Sequence, residues 1–314
     1  MSTALIRYDA TLQARAGRWV DLAPDDRRRK ATEAAQMKDS TALWSLLEAY
    51  LATYGAAGSR LSSHTLRSYR GGLAAFLAYA NTQAFNLIRP NRDAGARWTR
   101  SLEAEAHSPS TVRVRLAAVR MLYRALRWAG ATETDPFADV KVAKDPTAPW
   151  DKRSPYTHAD VEQLLQPAGP RDRALILLCA HAGLRVSEAI ALTWDDVDLS
   201  QRVLMVRKGK GGKQRSVNLS ARLIAALRAL EPSDGRILPW SDVRARARLR
   251  HVCTRAGVPY KGVHPLRHYA GTRLHQQIKN LEHVARHLGH SSIETSRIYA
   301  KWSDETLREA LGEW

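Results

Sequence analysis

Large apolar side chains first fall into a helical rhythm near residue 41. Leu43, Leu46, Leu47, Tyr50, Leu51 and Tyr54 recur at spacings of three and four, which places them on one helix face. Ser62, Ser63 and Thr65 offer caps for a second helix, whose stripe is Leu66, Tyr69, Leu73, Phe76 and Leu77, with Arg67 and Arg70 beside it. Ser108-Pro109-Ser110 opens a third, which runs to Gly130 with Val112, Leu116, Val119, Tyr123 and Leu126 on its apolar face. Residues 1–40 hold few large apolar residues and the basic run Arg27-Arg28-Arg29-Lys30, so a weakly ordered extension is expected there. Residues 141–156 contain three prolines and no periodicity, which predicts an extended linker between a helical domain over 41–140 and a second domain over 157–314.

The second domain opens at Thr157, where Asp160 completes a capping box. A helix to about Gln166 and a strongly apolar one over 172–182 are predicted. Gly183 breaks the chain and 186–192 resumes it. Val203–Val206 and Arg215–Leu219 alternate like two short strands, separated by a glycine-rich turn with three lysines, Lys208, Lys210 and Lys213. Helices are predicted over 221–230, 242–256, 264–277, 280–288, 292–300 and 303–312. The fold class is mainly α, with two helical domains and one small antiparallel sheet in the second.

Composition then narrows the partner. Of 314 residues, 44% are apolar and 25% charged, ordinary globular usage. Two cysteines, Cys179 and Cys253, cannot build a disulfide framework or a cysteine zinc site and suit a reducing compartment. The N-terminal residues lack an apolar core of signal-peptide length, and the run Ala174–Ala180 falls far short of the roughly 20 residues that span a bilayer. A cytoplasmic protein without a membrane partner is expected. The net charge of +18 points to a polyanion. It is spread along the chain, with 22 basic and 14 acidic residues in 1–150 and 27 and 17 in 151–314, so both domains can line one nucleic acid. In the third helix Arg113, Arg120, Arg124 and Arg127 share a face beside the apolar one, which suits either phosphates or solvent.

Four segments of the second domain carry groups suited to phosphate chemistry. In Gly183-Leu184-Arg185-Val186-Ser187-Glu188 a glycine break aims an arginine at a helix start. The lysine turn can reach a groove or a leaving oxygen. His264-Pro265-Leu266-Arg267-His268 puts His264 and Arg267 on one helix face. Leu288-Gly289-His290-Ser291-Ser292 sets His290 at a helix junction, nine residues before Tyr299. Each alone has an ordinary structural explanation. Together they supply bidentate cationic donors, proton carriers at neutral pH and a phenolic nucleophile. His283 and His287, like His264 and His268, have the i,i+4 spacing of zinc ligands but lack the HExxH glutamate, so neither a metal nor another cofactor is expected.

GLRVSEAIAL, KGKGGKQR, HPLRH and LGHSSIETSRIY, in this order, resemble the tyrosine recombinase (phage integrase) family, and the Xer-like simple recombinases within it. The 41–140 helices look like that family's helical core-binding, SAM-like domain. The resemblance implies that Tyr299 attacks the scissile phosphorus to give a 3′-phosphotyrosyl link. It implies that Arg185 and Arg267 hold the non-bridging oxygens, with Glu188 orienting Arg185 from behind. Lys210 protonates the 5′ leaving oxygen, with Lys208 and Lys213 on the same turn as the other candidates. His264 takes the tyrosine proton and His290 hydrogen-bonds the phosphate. Ser296 stands where the family often has Thr. The implied partner is double-stranded DNA with a specific recombination site, bound by a homo-tetramer that exchanges strands through a Holliday junction, alone or with a second recombinase or an accessory protein. Arg67, Arg70, Arg113, Arg120, Arg124, Arg127, Lys208 and Lys213 are the DNA-contact candidates. The tail from Ser303 to Trp314 docks on a neighbouring protomer or on its own domain. Xer-like dimer resolution of a chromosome or plasmid is the favoured role. Mobile-element integration or excision, type IB topoisomerase-like relaxation and a non-catalytic DNA-binding protein are the rivals.

Overall fold

In the computed structural model, residues 3–55, 61–147, 154–207, 214–230 and 235–289 are described. The chain divides into two compact units, Met1–Pro146 and Thr147–Trp314. No helix among the described residues is long and apolar enough to cross a membrane.

The first unit packs six helices, α1 (Thr3–Val20), α2 (Pro24–Gln36), α3 (Ser40–Tyr54), α4 (Ser63–Thr82), α5 (Ala94–Ala104) and α6 (Pro109–Trp128). Caps fix the starts of three of them. The Asp39 carboxylate accepts from the backbone of Thr41 and Ala42, Ser62 from Thr65, and Ser108 from Thr111. Helix α4 crosses α6 closely because Gly72 faces Ala118, where an added Cβ would lie 2.7 Å from the alanine methyl. The core beneath is aromatic: Phe76 meets Phe85, Trp98 and Phe137 edge-on, with centroids 5.2–5.5 Å apart.

The weakly ordered extension expected over residues 1–40 is corrected by α1 and α2. From α1, Leu12, Ala16 and Trp19 are buried, Arg15 forks onto both oxygens of Glu48 at 2.9 Å, and the Trp19 indole donates to Ser45 Oγ. Helix α2 buries only Ala31, Ala34 and Ala35. The basic run is likewise no free arm. Arg27 lies over Trp128, Lys30 over Trp19, and Arg28 and Arg29 pair with Asp25 and Asp26. Helix α5 was not predicted either, since of its large apolar residues only Trp98 and Leu102 face inward.

The second unit is built around α8 (Pro170–Ala180), in which every side chain from Ala174 to Ala180 is buried. Around it lie α7 (His158–Leu165), α10 (Ala221–Arg228), α11 (Asp242–Ala256) and α12 (His264–Ile278). The Thr157–Asp160 capping box forms as predicted. A one-turn helix, α9 (Val186–Ala189), and a short 3-10 turn lead into a three-stranded antiparallel sheet of β1 (Val197–Asp198), β2 (Val203–Val206) and β3 (Arg215–Asn218). The register pairs Leu204 with Val217 and Val206 with Arg215, so Arg215 shares the inward parity of Val217. Helix α13 (Leu281–Leu288) is capped by Asn280 and ends at Gly289 in a left-handed conformation. The candidate helices 292–300 and 303–312 lie outside the described residues.

Candidate active site

The site grows from the turn after α8. Gly183 has φ +63, and a Cβ there would lie 2.3 Å from Leu288 Cδ2, so the turn needs glycine both for its backbone and for its contact with α13. Leu184 plunges into the core and leaves Arg185 at the start of α9, with its side chain partly exposed. Glu188, three residues on, turns back to Arg185 and accepts from its backbone N–H at 2.9 Å and from Nη1 at 2.7 Å. Helix α12 brings in Arg267 from the far side. This guanidinium is 1% exposed and lies 3.7 Å from Glu188, and it donates to the carbonyls of Gly183 and Leu288.

A fourth residue completes the cluster. Arg215 of β3 forks onto Glu188, with Nη2 at 2.8 Å from Oε2 and Nη1 at 3.2 Å from Oε1, and its Nε donates to the His287 carbonyl at 3.3 Å. Sequence reasoning passed over Arg215. The signal it left is parity: two residues before the buried Val217, on a strand whose even partners face solvent.

One carboxylate thus faces three guanidinium groups, so the cluster keeps a surplus of two positive charges. Burial alone would raise the Glu188 pKa, but the hydrogen bonds from Arg215 and Arg185 and their charges hold it down at about 2. Glu188 therefore stays ionised over the whole working range. Nearby, His181 donates to or accepts from Ser220 Oγ at 2.8 Å, and burial, aided by Arg222 and Arg273, pulls its pKa down to about 4. His287 is lowered too, chiefly by burial, with Nε2 at 3.2 Å from the His181 carbonyl.

Of the predicted catalytic set, Arg185, Glu188 and Arg267 come together. His264 begins α12 one turn before Arg267, and its ring meets that of His268 edge-on at 4.5 Å. Lys208, Lys210, Lys213, His290, Ser296 and Tyr299 lie outside the described residues, and Gly289 is the last described residue before His290. Among the described residues, no group of three or more His, Cys, Asp or Glu side chains is placed to hold a metal ion.

In the first unit the arginines of α6 find acceptors within the chain. Arg120 donates to the carbonyls of Phe137, Ala138 and Val140, Arg113 to that of Ala143, and Arg127 pairs with Asp135 at 2.7 Å and donates to the Thr134 carbonyl. These three tie residues 134–143 onto the helix, a structural role beside the phosphate or solvent reading of the face. Arg124 and Arg67 are exposed, and Arg70 is exposed with its guanidinium 5.9 Å from the Trp44 ring.

Comparison with known proteins gives one family. Residues 156–306 match the model of the phage integrase family, and residues 47–130 match the N-terminal SAM-like domain of phage integrases. The tyrosine recombinase XerC of Xanthomonas campestris pv. campestris (strain B100) is 32% identical over 262 residues, covering 76% of this chain and 79% of the relative. The tyrosine recombinase XerA of Thermococcus kodakarensis is 29% identical, covering 79% and 88%. Among solved structures, the XerH site-specific recombinase bound to palindromic difH substrate in a post-cleavage complex has a TM-score of 0.64 at 22% identity, covering 98% of this chain and 97% of that one. It shares the fold.

Proposed function

The chain belongs to the phage integrase family of tyrosine recombinases, and on that premise we propose that it cuts and rejoins DNA duplexes at a specific site through Tyr299. The observation that carries the site assignment is the meeting of Arg185 and Arg267 around one buried carboxylate, with positive charge in excess. A phosphodiester carries one negative charge, and its pentavalent transition state carries more on the equatorial oxygens. Fixed guanidinium groups are suited to that charge because they are always protonated and present paired donors.

In this reading the Tyr299 oxygen attacks phosphorus and the P–O5′ bond breaks. His264 takes the phenolic proton, Lys210 delivers one to the departing 5′-oxygen, and His290 hydrogen-bonds the phosphate. A phosphodiester is exchanged for a phosphotyrosyl ester, so the bond energy is kept and religation needs no added energy source. Double-stranded DNA with a recombination site is the substrate. A homo-tetramer is the working assembly, because exchange between two duplexes requires four cleavages. Dimer resolution of a chromosome or plasmid is the role we favour, from the likeness to XerC and XerA.

The test is a supercoiled plasmid with two copies of a duplex that the full chain selects from a randomised library. Excision or inversion between the copies is expected. Relaxation with no rearranged product would replace this reading with a topoisomerase-like one.

A further inference from the structure

Helix α9 has a single turn, too short to hold its own shape without outside contacts. Yet it carries Glu188, and Arg185 is its N-terminal cap. Within α9 the only restraint on the Glu188 carboxylate is Arg185 itself, three residues earlier, so this pair could swing together. What fixes the carboxylate plane is the fork from Arg215, 27 residues away on β3, which contacts both oxygens. The Arg215 side chain is 12% exposed, and Glu188 is 2% exposed.

Arg215 also touches the other side of the cluster. Its Nε donates to the His287 carbonyl, and it fills the space that Gly289 leaves open, where a Cβ would lie 2.6 Å from Arg215 Cδ. The adjacent Leu288 carbonyl is the one that Arg267 holds. One side chain therefore ties β3, α9 and the end of α13 into a single arrangement. In sequence, only Gln214 separates the lysine turn from β3, and Gly289 directly precedes His290.

Resting on the proposed phosphotyrosyl chemistry, we infer that Arg215 is a positioning residue for strand cleavage, which sets the direction of Arg185 by clamping Glu188. It acts through Glu188 and not through contact with the phosphate. Its fork matters more than its charge, because an ammonium cannot reach both oxygens in one plane.

The experiment uses the full chain and a labelled duplex selected from a randomised library, nicked so that cleavage releases a short strand. Single-turnover cleavage and duplex dissociation constants are measured together for each variant. Arg215→Met is expected to slow cleavage about 100-fold and Arg215→Lys about tenfold, with dissociation constants within about threefold of the wild type. Glu188→Gln combined with Arg215→Met is expected to be no slower than the slower single variant. Wild-type cleavage by Arg215→Lys, equal losses in binding and cleavage, or additive losses in the double variant would overturn the inference while leaving Tyr299 chemistry intact. Should Arg215→Met not fold, Arg215→Lys carries the same test, with its melting temperature as the control. No covalent product from the wild-type chain would overturn both the inference and the reading it rests on.

Discussion

The two units each gather arginines, but they use them differently. On α6, Arg113 and Arg120 give their donors to backbone carbonyls, and Arg127 is neutralised by Asp135. Around α9, Arg185, Arg215 and Arg267 converge on a single carboxylate. A carbonyl consumes hydrogen-bonding capacity and leaves the charge in place. A carboxylate consumes both, and here one carboxylate serves three cations. The first arrangement fastens a loop while still attracting a polyanion at long range. The second holds charge at fixed angles, which in our proposal serves a bound phosphate. Counting basic residues on a helix face therefore measures neither the direct contacts nor the field.

That contrast can be broken at its centre. Glu188→Leu leaves three guanidinium groups facing one another in a buried site, and it is expected to cost about 3–5 kcal/mol, the range for breaking a buried pair. Thermal unfolding checks it, with a fall of roughly 10 °C as the expected result for a unit of this size.

Acid titration sharpens the same comparison. His181 is neutral in the fold, with its pKa lowered to about 4 against an ordinary value near 6.5. Its contribution is complete above the ordinary value and is lost as pH falls from there towards 4. Glu188, lowered to about 2, begins to lose its contribution as pH falls past the ordinary carboxylate value near 4.5, and goes on losing it towards 2. Urea unfolding between pH 7 and 5 should thus show a loss of about 2 kcal/mol from His181, which His181→Asn removes, with a further share from His287, lowered in the same direction, and with most of the Glu188 effect still to come at lower pH.

On α6 the expected effects are smaller. Arg120→Ala should destabilise the first unit by about 2 kcal/mol through lost charge-assisted hydrogen bonds, measured by urea unfolding. Arg124→Ala should leave stability within about 0.5 kcal/mol and lower the salt dependence of duplex binding by about one unit of slope. If Arg120→Ala changes only binding, and Arg124→Ala only stability, the assignment of the two residues is reversed.

Much of this was legible in the chain. Stripes of leucine and aromatic residues marked α3, α4 and α6, Thr157 marked a start to the residue, and the observed caps Ser62 and Ser108 fall within the short segments that read as helix starts. Helix α2 escaped because alanines at i, i+3 and i+4 bury well against a neighbour yet carry no strong apolar signal. The strand β1 escaped because two residues give no alternation to read. In the site, Arg185 and Arg267 stood out beside a glycine break and a proline-led helix start, whereas the role of Glu188 was implied only by the family resemblance. Arg215 was not, since an arginine after a lysine-rich turn reads as more surface charge until the ladder places it opposite Val206. The partners of the α6 arginines were hidden for the converse reason: the spacing placed them on one face, but their acceptors are carbonyls of a segment that periodicity alone cannot position.

The central claim is that one phenolic oxygen, that of Tyr299, becomes esterified to DNA. The most direct measurement is mass spectrometry of the SDS-stable adduct formed with the selected, nicked duplex, after protease and nuclease digestion. The expected product is a nucleotide joined through its 3′-phosphate to the peptide containing Tyr299, with no adduct from Tyr299→Phe. An adduct mapped to any other residue, or one that persists in Tyr299→Phe, would contradict it.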